Sequence, residues 1–196
     1  MARHRDPFAT ALRTLRERAI AGVFSPGKPI IILDEAQALG LSTTPVREAL
    51  AWLGGEGLIA RAPAGGYAGL QLEPAGLASR YRLRLHCLEK GLEGPAPGIS
   101  LPQPTDQTQF FRHIVAGAAD PSLTTTYDRI QATIERFAEA EARLLGDIPE
   151  ALEDVAGLLN EGLATAAAAR LGFFHERRVS AAPLLTEMEQ SGVGGG

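Results

Sequence analysis

The chain of 196 residues is 45% hydrophobic and 21% charged, with a formal net charge of −4. This composition supplies a core, and no apolar run approaches the ~20 residues needed to cross a bilayer, so a membrane-spanning protein is excluded. The single cysteine, Cys87, excludes an internal disulfide and favours the reducing cytoplasm. At roughly 100–200 residues per domain, we expect two small domains.

The charge is divided unevenly along the chain. Residues 1–70 hold eight Lys and Arg against six Asp and Glu, a net of +2, so the remaining residues carry −6. A basic half joined to an acidic half is compatible with one part touching nucleic-acid phosphates while the other has a different role.

The N-terminal residues predict three helices. Apolar residues at three- and four-residue steps predict an amphipathic helix over 7–23. A turn follows, and the β-branched run 30–33 predicts a strand or an extended segment. A short second helix is expected over 34–39, and a third over about 45–55.

The third helix begins in "GLSTTPVREAL", where an arginine stands close to the helix start. We expect Thr44 to cap this helix and Pro45 to take its first position, which sets Arg47 at the third. A capping box would place Glu or Gln there, and the helix dipole disfavours a cation. Arg47 is therefore either a solvated arginine or one that contacts a group outside the helix.

Two brief strands follow in "LIARAP" and "GYAGLQL", separated by residues 62–66, whose Pro and Gly content is typical of a hairpin. Three helices and a hairpin within some 70 residues outline a winged helix-turn-helix. In that motif the helix after the tight turn enters the DNA major groove. We assign residues 1–72 to this domain.

The rest of the chain predicts an all-α domain over residues 73–192, so the fold class is mainly α. Helices are expected over 74–93, 105–118, 121–145, 149–159, 162–178 and 182–189. Residues 93–104 are predicted to form a Pro/Gly-rich loop and 193–196 a disordered tail. Arg80 and Arg84 share a face of the first of these helices and are expected to be solvated, or to reach DNA or an acidic effector.

The N-terminal part resembles the winged-helix domain of GntR-family bacterial transcription regulators. The resemblance lies in "LRERAIAGVFSPGKPI" and "LGLSTTPVREALAWLGGEGLIARAPAGGYAG" and covers residues 12–69. It implies sequence-specific binding of double-stranded DNA, and it implies a locally repacked second helix because Glu35 stands where a buried leucine is usual. The DNA-facing residues would be Ser42, Thr43, Thr44 and Arg47, with Arg3, Arg5 and the wing residues Gly65 and Gly66.

The C-terminal half is similar to the helical effector domain of the FadR-type subfamily, through "YRLRLHCLEKGL", "QFFRHIVAGAADPSL" and "EGLATAAAARLGFFHERR". Under this resemblance, positions of that subfamily's metal ligands fall on Phe111, Gln107 and a residue near Leu152, and only His175 aligns with a ligand. We therefore expect a reduced effector domain without a metal or cofactor.

A catalytic site is not expected. His86, His113 and His175 show no i, i+4 spacing, and no phosphate loop, nucleophile elbow or glycosidase-like carboxylate pair occurs. If an effector binds, we expect a mainly apolar one between helices, although core packing explains the same residues. The candidate effector-binding residues are Phe110, Phe111, His113, Phe173, Phe174 and His175.

The expected function is that of a DNA-binding regulator, a repressor that binds a palindromic operator as a homodimer. One alternative is a regulator of the same fold that senses no effector and uses its helical part only to dimerise or to dock another protein. A second alternative is a metal-dependent enzyme with a vestigial DNA domain.

Overall fold

The structure, a computed structural model, describes residues 6–94, 106–146 and 148–191. The chain separates into two compact units, with the division between Leu72 and Glu73. Arg3 and Arg5, most of the predicted loop 93–104 and the predicted tail lie outside the described residues.

The first unit is a winged helix-turn-helix. Its elements are α1 (Pro7–Ile20), β1 (Pro29–Ile30), α2 (Ile32–Leu39), α3 (Thr43–Glu56), β2 (Ile59–Arg61) and β3 (Tyr67–Gly69). The antiparallel sheet has the order β1-β3-β2, and Ala68 of the central strand pairs with Pro29 on one side and Ala60 on the other. The predicted strand over 30–33 is shorter, because Ile31 caps α2 and Ile32 begins it.

The core of this unit forms where α1 packs on α3. Leu15 of α1 and Leu50 and Leu53 of α3 have no exposed surface. Each buried leucine stabilises the fold by about 1.5–3 kcal/mol relative to an exposed one. Asp6 fixes the start of α1, since its carboxylate accepts the Phe8 N–H at 3.0 Å.

The second unit is all helical in its described residues, which confirms the mainly α fold class. Its elements are α4 (Pro74–Leu92), α5 (Gln107–Ala116), α6 (Pro121–Ile134), a 3-10 turn (Glu135–Phe137), α7 (Ala138–Leu145), α8 (Ile148–Asn160) and α9 (Ala164–Gln190). Helix α4 packs against α5, α6 and α9. Among the described residues, no helix has the length and apolar content that a membrane crossing requires.

Two helix boundaries in this unit differ from the prediction. The single helix expected over 121–145 is interrupted by the 3-10 turn, which places Phe137 in the core with no exposed surface. The break expected between residues 178 and 182 is absent, because α9 continues through Pro183. Ala182 and Leu185, on either side of that proline, are almost fully buried, so packing overrides the helix-breaking tendency of proline.

Candidate nucleic-acid interface and buried polar cavity

The turn between α2 and α3 is closed by Gly40. This residue adopts a left-handed conformation with φ of 64°, which glycine accepts without strain. The Leu41 N–H then donates to the Ala36 carbonyl at 3.0 Å. As a result, only three residues separate the end of α2 from the start of α3.

The start of α3 corrects one prediction. Ser42, not Thr44, is the N-cap residue, and its side chain makes no capping hydrogen bond. Pro45 is therefore the third helical residue, where its missing N–H still has no intrahelical partner to lose. Arg47 becomes the fifth helical residue, so the capping-box argument does not apply to it and the dipole disfavours it less.

Helix α3 has a buried face and an exposed polar face. Val46 and Leu50 are fully buried, whereas Ser42, Thr44 and Arg47 are exposed. Thr43 is partly exposed. Within the described residues, the Arg47 guanidinium has no hydrogen-bond or ion-pair partner. The exposed face thus offers hydroxyl groups and one unengaged guanidinium, which are donors suited to base edges and phosphate oxygens.

The wing is a tight connection between β2 and β3. Gly65 and Gly66 have φ of 94° and 81°, and the Gly65 N–H donates to the Ala62 carbonyl at 2.9 Å. Both glycines are exposed. Arg61, the last residue of β2, is also exposed and is a basic residue that the sequence analysis did not assign. Its position directly before the hairpin turn was the signal that could have identified it.

Glu35 of α2 is the acidic residue that stands where leucine was expected. It is only 9% exposed, and the Arg18 guanidinium donates to its carboxylate at 2.5 Å. Burial raises the pKa of Glu35, and the Arg18 charge opposes that shift. The Arg18 guanidinium also lies 5.3 Å from the centre of the Phe24 ring, so it is held between a carboxylate and an aromatic face.

The second unit contains a partly open cavity of about 140 Å³. Its lining is mostly polar and consists of Arg84, Asp106, Gln107, Thr108, Gln131, Ile134, Glu135, Ala138 and Glu141.

Arg84 is 1% exposed, which corrects the expectation of a solvated arginine. Its Nε donates to His175 Nε2 at 3.0 Å and its Nη1 donates to Gln131 Oε1 at 3.2 Å. Among the described residues, its Nη2 is buried without a hydrogen-bond partner. Burial lowers the pKa of the guanidinium, an effect opposed by the charge of Glu141.

His175 is neutral in this arrangement. Its Nδ1 lies 2.8 Å from the Leu171 carbonyl, to which it donates, so Nε2 carries the lone pair that accepts from Arg84. Burial first, and the Arg84 charge second, hold the pKa of His175 well below its usual value. Arg84 therefore receives no negative charge from its histidine partner.

The nearby carboxylate of Glu141 is already engaged. Arg178 Nε donates to Glu141 Oε2 at 2.6 Å, and the Tyr81 hydroxyl donates to Glu141 Oε1 at 2.7 Å. Arg178 and Glu141 are both almost completely buried. Both carboxylate oxygens thus bind partners other than Arg84.

The four phenylalanines proposed for effector binding differ in their burial. Phe110, Phe111 and Phe174 are buried, whereas Phe173 is 59% exposed and lies against Arg170. None of the four lines the polar cavity. His113 is partly buried on α5. Effector binding by these residues stays a prediction.

The residues at the aligned metal positions do not fit a metal ion. Gln107 lines the cavity, the Phe111 ring packs 5.9 Å from the His175 ring, and Leu152 is buried in α8. The His175 lone pair that a metal would need accepts an N–H from a cation instead. Across residues 6–94, 106–146 and 148–191, no three potential ligand side chains are grouped for metal binding.

The fold of the chain matches solved structures. A protein described as transcriptional regulator GntR from Rhodococcus sp. RHA1 superposes with a TM-score of 0.77 at 19% identity, over 89% of this chain and 96% of that chain. The chain has the fold of GntR transcriptional regulators. E. coli McbR/YncC shares this GntR fold with a TM-score of 0.67 at 17% identity, over 90% of this chain and 97% of that chain.

A GntR family member from Pseudomonas syringae pv. tomato str. DC3000 is more distant, with a TM-score of 0.50 at 16% identity, over 95% of this chain and 89% of that chain. No protein-family model and no curated protein matches the chain. The likeness to the GntR fold therefore rests on structure, and the FadR-like subtype stays a prediction.

Proposed function

We propose that this protein is a sequence-specific DNA-binding transcriptional regulator of the bacterial cytoplasm, and that it acts as a repressor. The observation that carries the proposal is the exposed start of α3, where Arg47 stands on the helix that follows the tight turn at Gly40. A helix in that position enters the major groove, and an arginine there can donate to both acceptors of a guanine. The GntR fold supports the same function.

The proposed DNA contacts divide into two kinds. Arg47 reads a base edge, and the hydroxyls of Ser42, Thr43 and Thr44 contact base edges or phosphates. The wing, with Gly65, Gly66 and the adjacent Arg61, contacts phosphate. Backbone contacts position a protein on the duplex, whereas base contacts give sequence specificity.

A homodimer on a palindromic operator is part of the proposal, because one helix reads only a few base pairs. The N-terminal unit would bind DNA, and the helical unit would dimerise and receive a small-molecule effector. Light scattering should give a mass near 41 kDa, twice the 20.7 kDa of one chain. A monomer at micromolar concentration, with and without DNA, would contradict the dimer.

The test compares two arginines that have different proposed roles. Arg47→Ala removes a guanine contact worth roughly 1–3 kcal/mol in each half-site, so a dimer should lose on the order of 30-fold or more in operator affinity. Arg61→Ala should weaken binding to operator and to random DNA alike, and it should reduce the salt slope of the dimer by about two, one for each half-site. Affinities are measured by fluorescence anisotropy on an operator selected from random DNA, at several salt concentrations.

The control is Arg13→Ala, which removes an exposed arginine of α1 outside the turn and the wing. All three variants should keep the wild-type circular dichroism spectrum, because none of the three side chains is buried. If Arg47→Ala binds the operator within twofold of wild type at physiological salt, α3 is not the element that reads the sequence.

A further inference from the structure

The exposed face of α3 carries an acid beside its arginine. Glu48 is exposed and directly follows Arg47. Thr44, four residues earlier, is also exposed, so the two side chains lie along one line of the helix. The buried residues that define the opposite face are Val46, Ala49, Leu50 and Leu53. Because each helical residue turns by about 100°, Glu48 lies nearer the middle of the exposed face than Arg47 does.

Glu48 differs from the other acid of α3 in its partners. The Glu56 carboxylate accepts from the Arg16 guanidinium at 2.6 Å and from the Trp52 indole N–H at 2.7 Å. Within the described residues, the Glu48 carboxylate has no hydrogen-bond or ion-pair partner. The structure therefore leaves a free carboxylate next to the unengaged guanidinium of Arg47.

A free carboxylate at this place opposes non-specific binding to DNA. Phosphates repel it, whereas they attract Arg47. The exposed side chains of α3 thus carry one positive and one negative charge, and their sum gives no attraction to the phosphate backbone. Glu48 favours binding only at a site where a base donates a hydrogen bond to it.

The chemistry of the major groove restricts that base. Cytosine presents its N4 amino group there and adenine its N6 amino group, while guanine and thymine present acceptors that repel a carboxylate. Adenine N6 also stands beside the N7 acceptor of the same base. Cytosine has a donor without a neighbouring acceptor on the same base, so a carboxylate prefers cytosine.

We propose that Glu48 is a specificity-determining residue that accepts a hydrogen bond from cytosine N4 in each half-site of the operator. The proposal rests on the proposed function, in which α3 enters the major groove and Arg47 reads a guanine. Consecutive helical residues rise by about 1.5 Å and base pairs by about 3.4 Å, so the cytosine lies within about two base pairs of that guanine.

The first test is selection of operators from random DNA by the full chain, followed by sequencing. Wild type should select a cytosine near the guanine of each half-site. Glu48→Gln keeps the length of the side chain and removes its charge, and it should change the preference at that position from cytosine to adenine, because a glutamine amide pairs with adenine N6 and N7. Glu48→Ala should select no particular base there.

The second test measures affinities by fluorescence anisotropy. Replacing that cytosine by thymine in one half-site should weaken wild-type binding about 10-fold, whereas Glu48→Ala should lose less than about twofold on the same change. Glu48→Ala should also bind random DNA about two- to fivefold more tightly than wild type, since a charge repelled by phosphate is removed.

The matched control is Glu17→Gln. Glu17 is an exposed acid of α1 without a partner among the described residues, and it lies outside the turn and the wing. This variant should keep the wild-type base preference and operator affinity. All of these variants should keep the wild-type circular dichroism spectrum, because both glutamates are exposed.

Two results would overturn the proposal. One is a base preference that is the same in wild type, Glu48→Ala and Glu48→Gln. The other is an equal gain of Glu48→Ala on operator and random DNA, which would mean that Glu48 only repels phosphate. If Arg47→Ala loses specificity while the Glu48 variants keep the wild-type preference, this inference alone fails. If Arg47→Ala also binds the operator like wild type, the proposed role of α3 fails with it.

Discussion

Two fully buried arginines of the helical unit allow a direct test of how much a charged hydrogen-bond partner adds to stability. Arg84 and Arg178 are 1% and 0% exposed, and each guanidinium lies over an aromatic ring. They differ in their partners, because Arg178 binds the Glu141 carboxylate whereas Arg84 binds neutral groups. Replacing each with methionine keeps much of the side-chain volume and removes the charge.

The expected losses of stability differ in size. Arg178→Met leaves the buried Glu141 carboxylate with the Tyr81 hydroxyl as its remaining partner described above, and breaking a buried ion pair in this way costs about 3–5 kcal/mol. Arg84→Met leaves two neutral acceptors, on His175 and Gln131, without their donor, and each buried acceptor left unsatisfied costs about 1–3 kcal/mol. Removal of a buried cation that has only neutral hydrogen-bond partners offsets that loss by several kcal/mol. We therefore expect Arg84→Met to cost about 0–2 kcal/mol.

The assay is urea unfolding of the full chain, followed by circular dichroism, at one protein concentration and in buffer without carboxylate or phosphate. Fixed concentration matters because dimer formation contributes to the apparent stability. If the two variants lose the same free energy of unfolding, the Arg84 charge is compensated in the folded protein and the argument from its neutral partners fails.

Three further outcomes are expected in the helical unit. The pKa of His175 is lowered in the folded protein, so its contribution to stability is complete above the unfolded value of about 6.5. That contribution decreases as the pH falls below 6.5, by up to ~1.4 kcal/mol per pH unit. Between pH 5 and 7 the free energy of unfolding should therefore depend less on pH in His175→Gln than in wild type, and equal slopes would contradict this. A Cβ on Gly91 would lie 2.2 Å from the Ile114 carbonyl oxygen, so Gly91→Ala should destabilise the protein by about 1–3 kcal/mol. A Cβ on Gly172 would meet nothing within 4 Å, so Gly172→Ala should stabilise the protein by about 0.5–1 kcal/mol. Thermal unfolding compares these two variants, and a shift of the same sign in both would refute the packing argument. Asp120 accepts the Ser122 N–H at 2.8 Å as the N-cap of α6, and Asp120→Ala should cost about 1 kcal/mol in the same assay.

The local pattern of the sequence was sufficient to predict the helices and the hairpin of the first unit. Apolar residues at helical spacing predicted α1 and α3, the glycine at residue 40 predicted the end of α2, and the Pro/Gly run predicted the hairpin. These signals act between neighbours in the chain, so a local reading detects them. The cap of α3 was assigned two residues too late, because Thr44 is also a favoured cap residue type and the Ser42 side chain makes no capping hydrogen bond that would mark the true start.

Tertiary packing decided the features that the sequence left open. Burial of Ala182 and Leu185 carries α9 through Pro183, although the local preference is to stop. Phe173 and Phe174 are adjacent and chemically identical, yet one is exposed and the other buried, because consecutive helical residues point to different sides.

The cavity depended entirely on tertiary structure. Arg84 donates to His175 from 91 residues away and to Gln131 from 47 residues away, and no motif links the three positions. In the sequence, Arg84 stands close to Arg80 and Arg82, and this basic cluster predicts a surface residue. Whether its charge is solvated or buried depends on which helices pack around α4, and the energy of a buried charge depends on the groups that those helices place beside it.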